Sequence, residues 1–521
     1  MRISVINCKN TFFWEGQSNY YVFLPPEKIR QKQTTIIIIM KRIIKFSAMA
    51  LLVVLTLTGC KKSYTITVKS NNNDWGSVTG SGTYKDGETV TISAVPVTGY
   101  YFIAWNDGNV ENPRKIVVSG NAEYIAIFSD TPGGGGGGTE NAVTVSGSIS
   151  ANTNWPDRGA GVDYIIEGRF YVEGNALLTI EPGVTIMFTS VNDGITVEEN
   201  AGLRMVGTAD KPITLTGPAN NQNIGAWDNV QVNSNRNDNQ FEYVNFINGG
   251  SYEEVVLIYG KLSMKHCTVN GATNYGVFVG QDGNFSAFEN NTVKNTKCPV
   301  ILANHKVVNN LGAGNTYANN TNNMVEIDNY WLDEDNLTVT YGNQGVPYYL
   351  KSGLHVDGSA IAKVNAGVVF VMAYDQNVSV NSNALLQVNG TSSQPVVFRG
   401  LSNEPGYWSG IEIGSTRQTN GGCNMTCCNI QNAGMHAEDA ALYMNEDTRL
   451  ALSNVTISGS NGYGMSVAIP VDWETEQYDF ANYHVTASGL TFSNCAQGNI
   501  YERNKEQVYT TWPGNKKLAR K

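Results

Sequence analysis

Charge is scarce in this chain. Of 521 residues only 15% are Asp, Glu, Lys or Arg, and His occurs five times. The 35 basic residues are outnumbered by 45 acidic ones, for a formal net charge of −10. Without a basic footprint there is no reason to expect nucleic acid as a partner. The Ala, Leu, Glu and Lys excess of helical bundles and coiled coils is missing as well. In its place stand 54 Gly and about 60 Asn, together over a fifth of the chain. The hydrophobic share, 41%, is too high for a disordered chain. At about 100–200 residues per domain, the length allows two to four domains or one elongated array.

Residues Met40-Lys41-Arg42-Ile43-Ile44-Lys45 form a basic n-region, and Ala48 to Leu57 an apolar stretch too short to span a bilayer. The segment ends in Leu57-Thr58-Gly59-Cys60, which resembles the lipobox of bacterial lipoproteins. That resemblance implies a signal peptide over 40–59, lipid attachment at Cys60 and the membrane as a partner. Two acyl chains hold a protein where one does not. Lys61, rather than Asp, follows the cysteine, which by the same resemblance points to the outer membrane of a Gram-negative bacterium. Its periplasmic and surface faces both stay open. Residues 1–39 precede a complete signal, so Met40 is the expected start and 1–39 a spurious extension.

From Tyr64 to Phe128 short runs alternate apolar and polar residues, as in Tyr64-Thr65-Ile66-Thr67-Val68 and Tyr124-Ile125-Ala126-Ile127-Phe128. Gly, Asn and Asp turns separate them, so they read as short antiparallel strands. Gly99-Tyr100-Tyr101-Phe102, Trp105-Asn106-Asp107-Gly108 and Tyr84-Lys85-Asp86-Gly87-Glu88 make this segment, within 60–130, similar to the internalin B-repeat-like domain. That family implies a surface spacer or weak adhesion unit. Tyr100, Tyr101 and Trp105 are read as core before sugar platform, because 65 residues have little else to pack. Six glycines, 133–138, then mark a hinge inside a linker over 131–140.

The rest of the chain repeats itself. Val172-Glu173-Gly174-Asn175-Ala176-Leu177 returns 184 residues later as Val356-Asp357-Gly358-Ser359-Ala360-Ile361. Trp227 answers to Trp408, and Tyr275-Gly276-Val277 to Tyr463-Gly464-Met465. A finer repeat of Asn or His recurs at Asn245, His266, Asn290, Asn429, Asn454 and Asn494. Such a pattern fits a solenoid of stacked short strands, with Asn at tight corners where it tolerates left-handed backbone. Stacked Asn side chains would add a hydrogen-bonded ladder. This resembles the right-handed parallel β-helix proteins of the pectate-lyase-like superfamily. A β-sandwich array would need longer alternating strands. The expected fold is therefore all-β: a small antiparallel module plus a right-handed parallel β-helix over 141–504, made of two tandem copies. A basic tail, 505–521, follows. On the order of 11–12 coils would stack to about 50–60 Å.

The resemblance invites a search for polysaccharide lyase or hydrolase chemistry, since glycoside cleavage by hydrolysis uses two carboxylates across the bond. The solenoid contains no Asp-Asp pair. Of its acidic groupings, His436 with Glu438 and Asp439 is the one candidate catalytic set, and calcium is the cofactor it would take. Cys428 aligns with Val244, and Cys267 and Cys495 align with Val455, so these cysteines read as small core groups and no metal site is expected. A Cys423–Cys427 disulfide is compatible with an extracytoplasmic compartment but is not demanded by spacing. Trp227 and Trp408 each stand three residues before a strand that turns Gln231 or Glu412 outward. These four are the candidate ligand-binding residues, although for the tryptophans repeated scaffold is the favoured reading. The expected function is non-enzymatic: an envelope lipoprotein presenting a β-helix to a polysaccharide or other surface partner. A depolymerase and a purely structural spacer are the alternatives.

Overall fold

Alternation decides the local structure. Strands such as Leu177–Ile180 and Thr185–Phe188 bury every second side chain, as a period of two requires. The computed structural model describes residues 62–98, 100–105, 109, 111–129, 142–159, 161–414, 422–435, 440–446, 448–469, 471–472, 474–475, 477–478 and 484–514. Nearly all of its regular structure is strand. The signal segment, Cys60 and the Gly hinge lie outside the described residues.

The module at 62–129 holds two antiparallel sheets. One runs Gly82–Lys85, Ser63–Ser70, Ala122–Ser129, Tyr101–Trp105; the other Gly76–Thr79, Thr89–Pro96, Arg114–Val117. Trp105 is wholly buried, packs 5.4 Å from Phe102 and donates its indole N–H to the Glu111 carbonyl at 2.9 Å. It is core and presents no ring to a sugar.

The described residues between 142 and 514 wind into a parallel β-helix. Sheet I stacks eight strands from Val143–Val145 to Thr316–Ala318, and sheet III six from Thr153–Trp155 to Asn284–Glu289. Between them in each coil, sheet II runs the length of the solenoid. Thirteen successive parallel pairings link its fourteen segments, from Ser148–Ile149 to Thr491–Ser493. At the usual strand spacing this spans about 60 Å. The expected 11–12 coils are too few because the corners are shorter than assumed. Thr268, Thr292 and Thr316 lie above one another at intervals of only 24 residues.

Those corners are single left-handed residues. Tyr243, His266, Asn290, Cys427, Asn454 and Asn494 occupy one, with φ between 46° and 56°. Asn248, Asn295, Asn319 and Asn432 occupy another, with φ between 56° and 58°. Asn245 and Asn429, expected at the first corner, lie two residues beyond it inside strands, and Tyr243 and Cys427 take the position instead. The ladder is displaced too. It is built by Asn291 and Asn315, which follow corners. Asn291 is completely buried; its Oδ1 accepts from the Cys267 N–H and its amide donates to the Met264 carbonyl, at 3.0 and 2.9 Å. One coil on, Asn315 Oδ1 accepts the Asn291 backbone N–H at 3.0 Å.

The second copy is not stacked face upon equivalent face. By the repeat, Leu354–Val356 corresponds to Arg169–Val172 of sheet II, yet it belongs to a new sheet IV, which runs from Trp331–Leu332 to Gln507–Tyr509. Sheet II continues instead under strands equivalent to sheet I, through the pairing of Val325–Ile327 with Tyr348–Leu350. Strands equivalent to sheets I and II are thus each displaced by one face, whereas the first sheet III equivalent, Thr338–Tyr341, packs on the segment that follows sheet III. A 3-10 turn, His305–Asn310, marks the change, capped by the Asn304 side chain accepting from Val307 N–H. At the far end Gln507–Tyr509 returns antiparallel on Gly498–Glu502, and Trp512 packs against the core.

Candidate functional site

Sheet IV aligns its outward side chains into one column. Trp331 pairs with His355, His355 with Ser379, and Ser379 with Glu412. Glu412 then pairs with Tyr443, Tyr443 with Ser466, and Ser466 with Tyr501. Seven rungs at strand spacing make a track about 29 Å long. Trp331 is 52% exposed, whereas His355, Ser379 and Ser466 are buried beneath neighbouring side chains. Tyr330 stacks on the His355 ring at 5.2 Å, and the His355 Nδ1 shares a 2.5 Å hydrogen bond with Ser379 Oγ. On the other side the Arg503 guanidinium lies 4.1 Å over the Tyr443 ring and donates to Ser466 Oγ and the Met444 carbonyl.

Midway along the column opens a cavity of about 300 Å³, lined by Asn377, Ser409, Gly410, Glu412, Ala440 and Tyr443, with Ile411. Ligand pockets begin at about this size. Its origin is visible in the first copy. Strand pairing makes Arg169, Asp228, Asn229 and Glu254 the counterparts of Gly353, Ser409, Gly410 and Ala440. There the side chains fill the space. Arg169 pairs with Asp228 and donates to Thr196 Oγ1 and Asn229 Oδ1 at 2.9 and 3.1 Å, and Asn229 reaches Glu254 at 3.4 Å. Gly194 has no room even for a methyl, since a Cβ would lie 2.5 Å from the Asn229 carbonyl. The second copy removes each of the filling groups. Gly410 answers to the backbone as well: φ is 120° and a Cβ would meet two carbonyls at 2.8 Å.

The filled site is also electrostatically loaded. Burial, and then the neighbouring Glu253 and Asp228, push Glu254 from an ordinary 4.5 up to about 7. At the junction, complete burial holds His305 down at about 4 from 6.5. Its Nε2–H donates to the Asn329 carbonyl at 2.9 Å and Nδ1 accepts from the Tyr341 hydroxyl at 2.8 Å, an arrangement that requires neutral imidazole. The signs oppose. Glu254 binds its proton more tightly in the folded state, so its contribution is greatest below pH 4.5 and is lost as pH rises to 7. His305 binds its proton more weakly when folded, so stability is lost as pH falls from 6.5 to 4. Glu254→Gln is expected to add about 1–2 kcal/mol at pH 8, discounted for partial exposure, and nothing at pH 4.5. The variant then exposes the His305 loss of about 3 kcal/mol between pH 7 and 4. Urea titrations across that range check both; an equal gain at pH 8 and 4.5 refutes the assignment.

The tryptophans singled out from sequence do not meet a ligand. Trp227 and Trp408 are wholly buried and donate their indole N–H groups to the Ile247 and Gln431 carbonyls, both at 2.8 Å. Each packs inward because the residues preceding its strand turn toward the core, so both are the repeated scaffold favoured from the sequence and not the ligand-binding rings of the other reading. Gln231 and Glu412 do face outward, on different faces of the solenoid, and only Glu412 reaches the cavity. His436, Glu438 and Asp439 lie outside the described residues; Ala440, next in the chain, lines the cavity. Cys423 and Cys428 are buried free thiols raised by burial, Cys423 to about 11, and Cys427 is a left-handed corner residue, so no disulfide joins 423 to 427. Among the described residues no three His, Cys, Asp or Glu side chains assemble as a metal site.

Sequence reasoning missed Asn377, Ser409, Ala440 and Tyr443. The signal was in the repeat, where Asp228 and Glu254 become Ser and Ala; only the register shows that both losses fall on one spot. No curated protein and no solved structure matches the chain. Residues 64–132 match the divergent InlB B-repeat domain, and residues 148–261, within the first copy of the solenoid, match the pectate-lyase-like β-helix domain.

Proposed function

We propose that this chain is an envelope-anchored surface protein, held through Cys60, whose β-helix binds a glycan along sheet IV. The observation that carries the reading is the cavity at Ser409, Gly410 and Ala440, opened where the first copy keeps an ion-paired filling. Hydroxyl, amide, carboxylate and phenol groups around a space of one sugar ring suit a polyhydroxylated ligand. The B-repeat module and the β-helix support a surface role. A glycan array on the protein from Cys60 onward identifies the ligand, and calorimetry measures it. Ala440→Leu, which refills the cavity, and Tyr443→Ala, which removes its wall, are each expected to weaken binding at least about thirtyfold. Unfolding midpoints near that of the parent confirm intact folds. An array without a ligand above background rejects the reading in favour of a spacer. The depolymerase alternative has its own readout, cleavage of the bound oligosaccharide, abolished by substitution of Glu438 and Asp439.

A further inference from the structure

The cavity carries a sign. Glu412 is the only charged side chain lining it among the described residues, and it makes no hydrogen bond or salt bridge there. Arg503, whose charge acts with that of Glu412, donates one N–H from each terminal nitrogen, to Ser466 Oγ and the Met444 carbonyl, and lays its face against Tyr443. So held, Arg503 is not part of the cavity lining, where Glu412 stands without a cationic partner among the described residues. The counterpart of Glu412 in the filled copy is Gln231, which is neutral and bonded to Asn233 at 2.9 Å. At this position, then, only the open copy carries a negative charge. A half-buried carboxylate without donors accepts from vicinal hydroxyls or an ammonium and repels another carboxylate.

We infer that the sheet IV cavity takes a neutral or amino sugar and rejects uronic acids, with Glu412 as the residue that sets this choice. The inference rests on the glycan-binding reading. Its test is an array carrying neutral, amino and uronic oligosaccharides of matched linkage, probed with the parent protein and with Glu412→Gln. The parent is expected to bind neutral or amino members and to bind their uronic counterparts at least about tenfold more weakly, as like charges at close range require. Glu412→Gln is expected to bring the uronic members within about threefold of the neutral ones. Ser409→Asp, which adds a second carboxylate to the lining, is expected to deepen the rejection. Preference for amino over neutral members identifies an ammonium as the donor, and equal binding identifies hydroxyls; either result upholds the inference. Uronic glycans bound best by the parent, or a selectivity unmoved by Glu412→Gln, overturns it while leaving glycan binding intact. An array with no binding at all overturns both.

Discussion

Trp227→Ala is expected to lower the unfolding free energy by about 4 kcal/mol, as truncation of a buried tryptophan does. The ring stacks on Phe188 at a centroid distance of 4.4 Å and an angle of 11°. It also fills the space above Gly249, where a Cβ would lie 2.7 Å from it. Its indole N–H satisfies the Ile247 carbonyl, so the loss combines a cavity with an unpaired acceptor. Trp227→Phe keeps the packing and loses the bond, and should fall by about 2 kcal/mol. Denaturant titration measures both. A folded Trp227→Ala protein within about 1 kcal/mol of the parent would mean the ring is not core, and would restore Trp227 as a ligand-binding candidate.

Asn291→Leu is expected to be as damaging, again about 4 kcal/mol, although it replaces a polar group by an apolar one of similar size. The substitution leaves the Cys267 N–H and the Met264 carbonyl buried without partners, because Asn291 is their link across the coil. An orphaned group costs about 1–3 kcal/mol, and here there are two. Asn290, its conspicuous neighbour at φ 56°, should matter far less: Asn290→Ala gives up local αL tolerance, about 1 kcal/mol. Hydrogen exchange at the Cys267 amide, alongside the titration, separates the two roles. Equal losses at 290 and 291 would sink the ladder assignment.

Much of the architecture was legible. The 184-residue repeat, the period-two strands and the Asn-rich corners all reach the folded molecule. The count of coils was underestimated because a corner can be a single αL residue, which leaves no loop signature in the sequence. The misplacement of Asn245 and Asn429 has a related cause. Tyr243 and Cys427 hold left-handed backbone at φ 49° and 46°, so the corner is defined by chain geometry and the residue type only favours it.

By itself the sequence determined that short strands alternate, that corners tighten at Asn and Gly, and that a unit of solenoid is used twice. These depend on neighbours within a few residues, where sterics and alternation act. Tertiary structure decided the rest. It turned Trp227 and Trp408 inward, chose Asn291 over Asn290 for the ladder, moved the equivalents of sheets I and II to new faces in the second copy, and emptied the space around Ser409 and Ala440. Each of these depends on what the coils above and below place against a residue, roughly 24 to 60 positions away in the chain, and no local pattern carries that information.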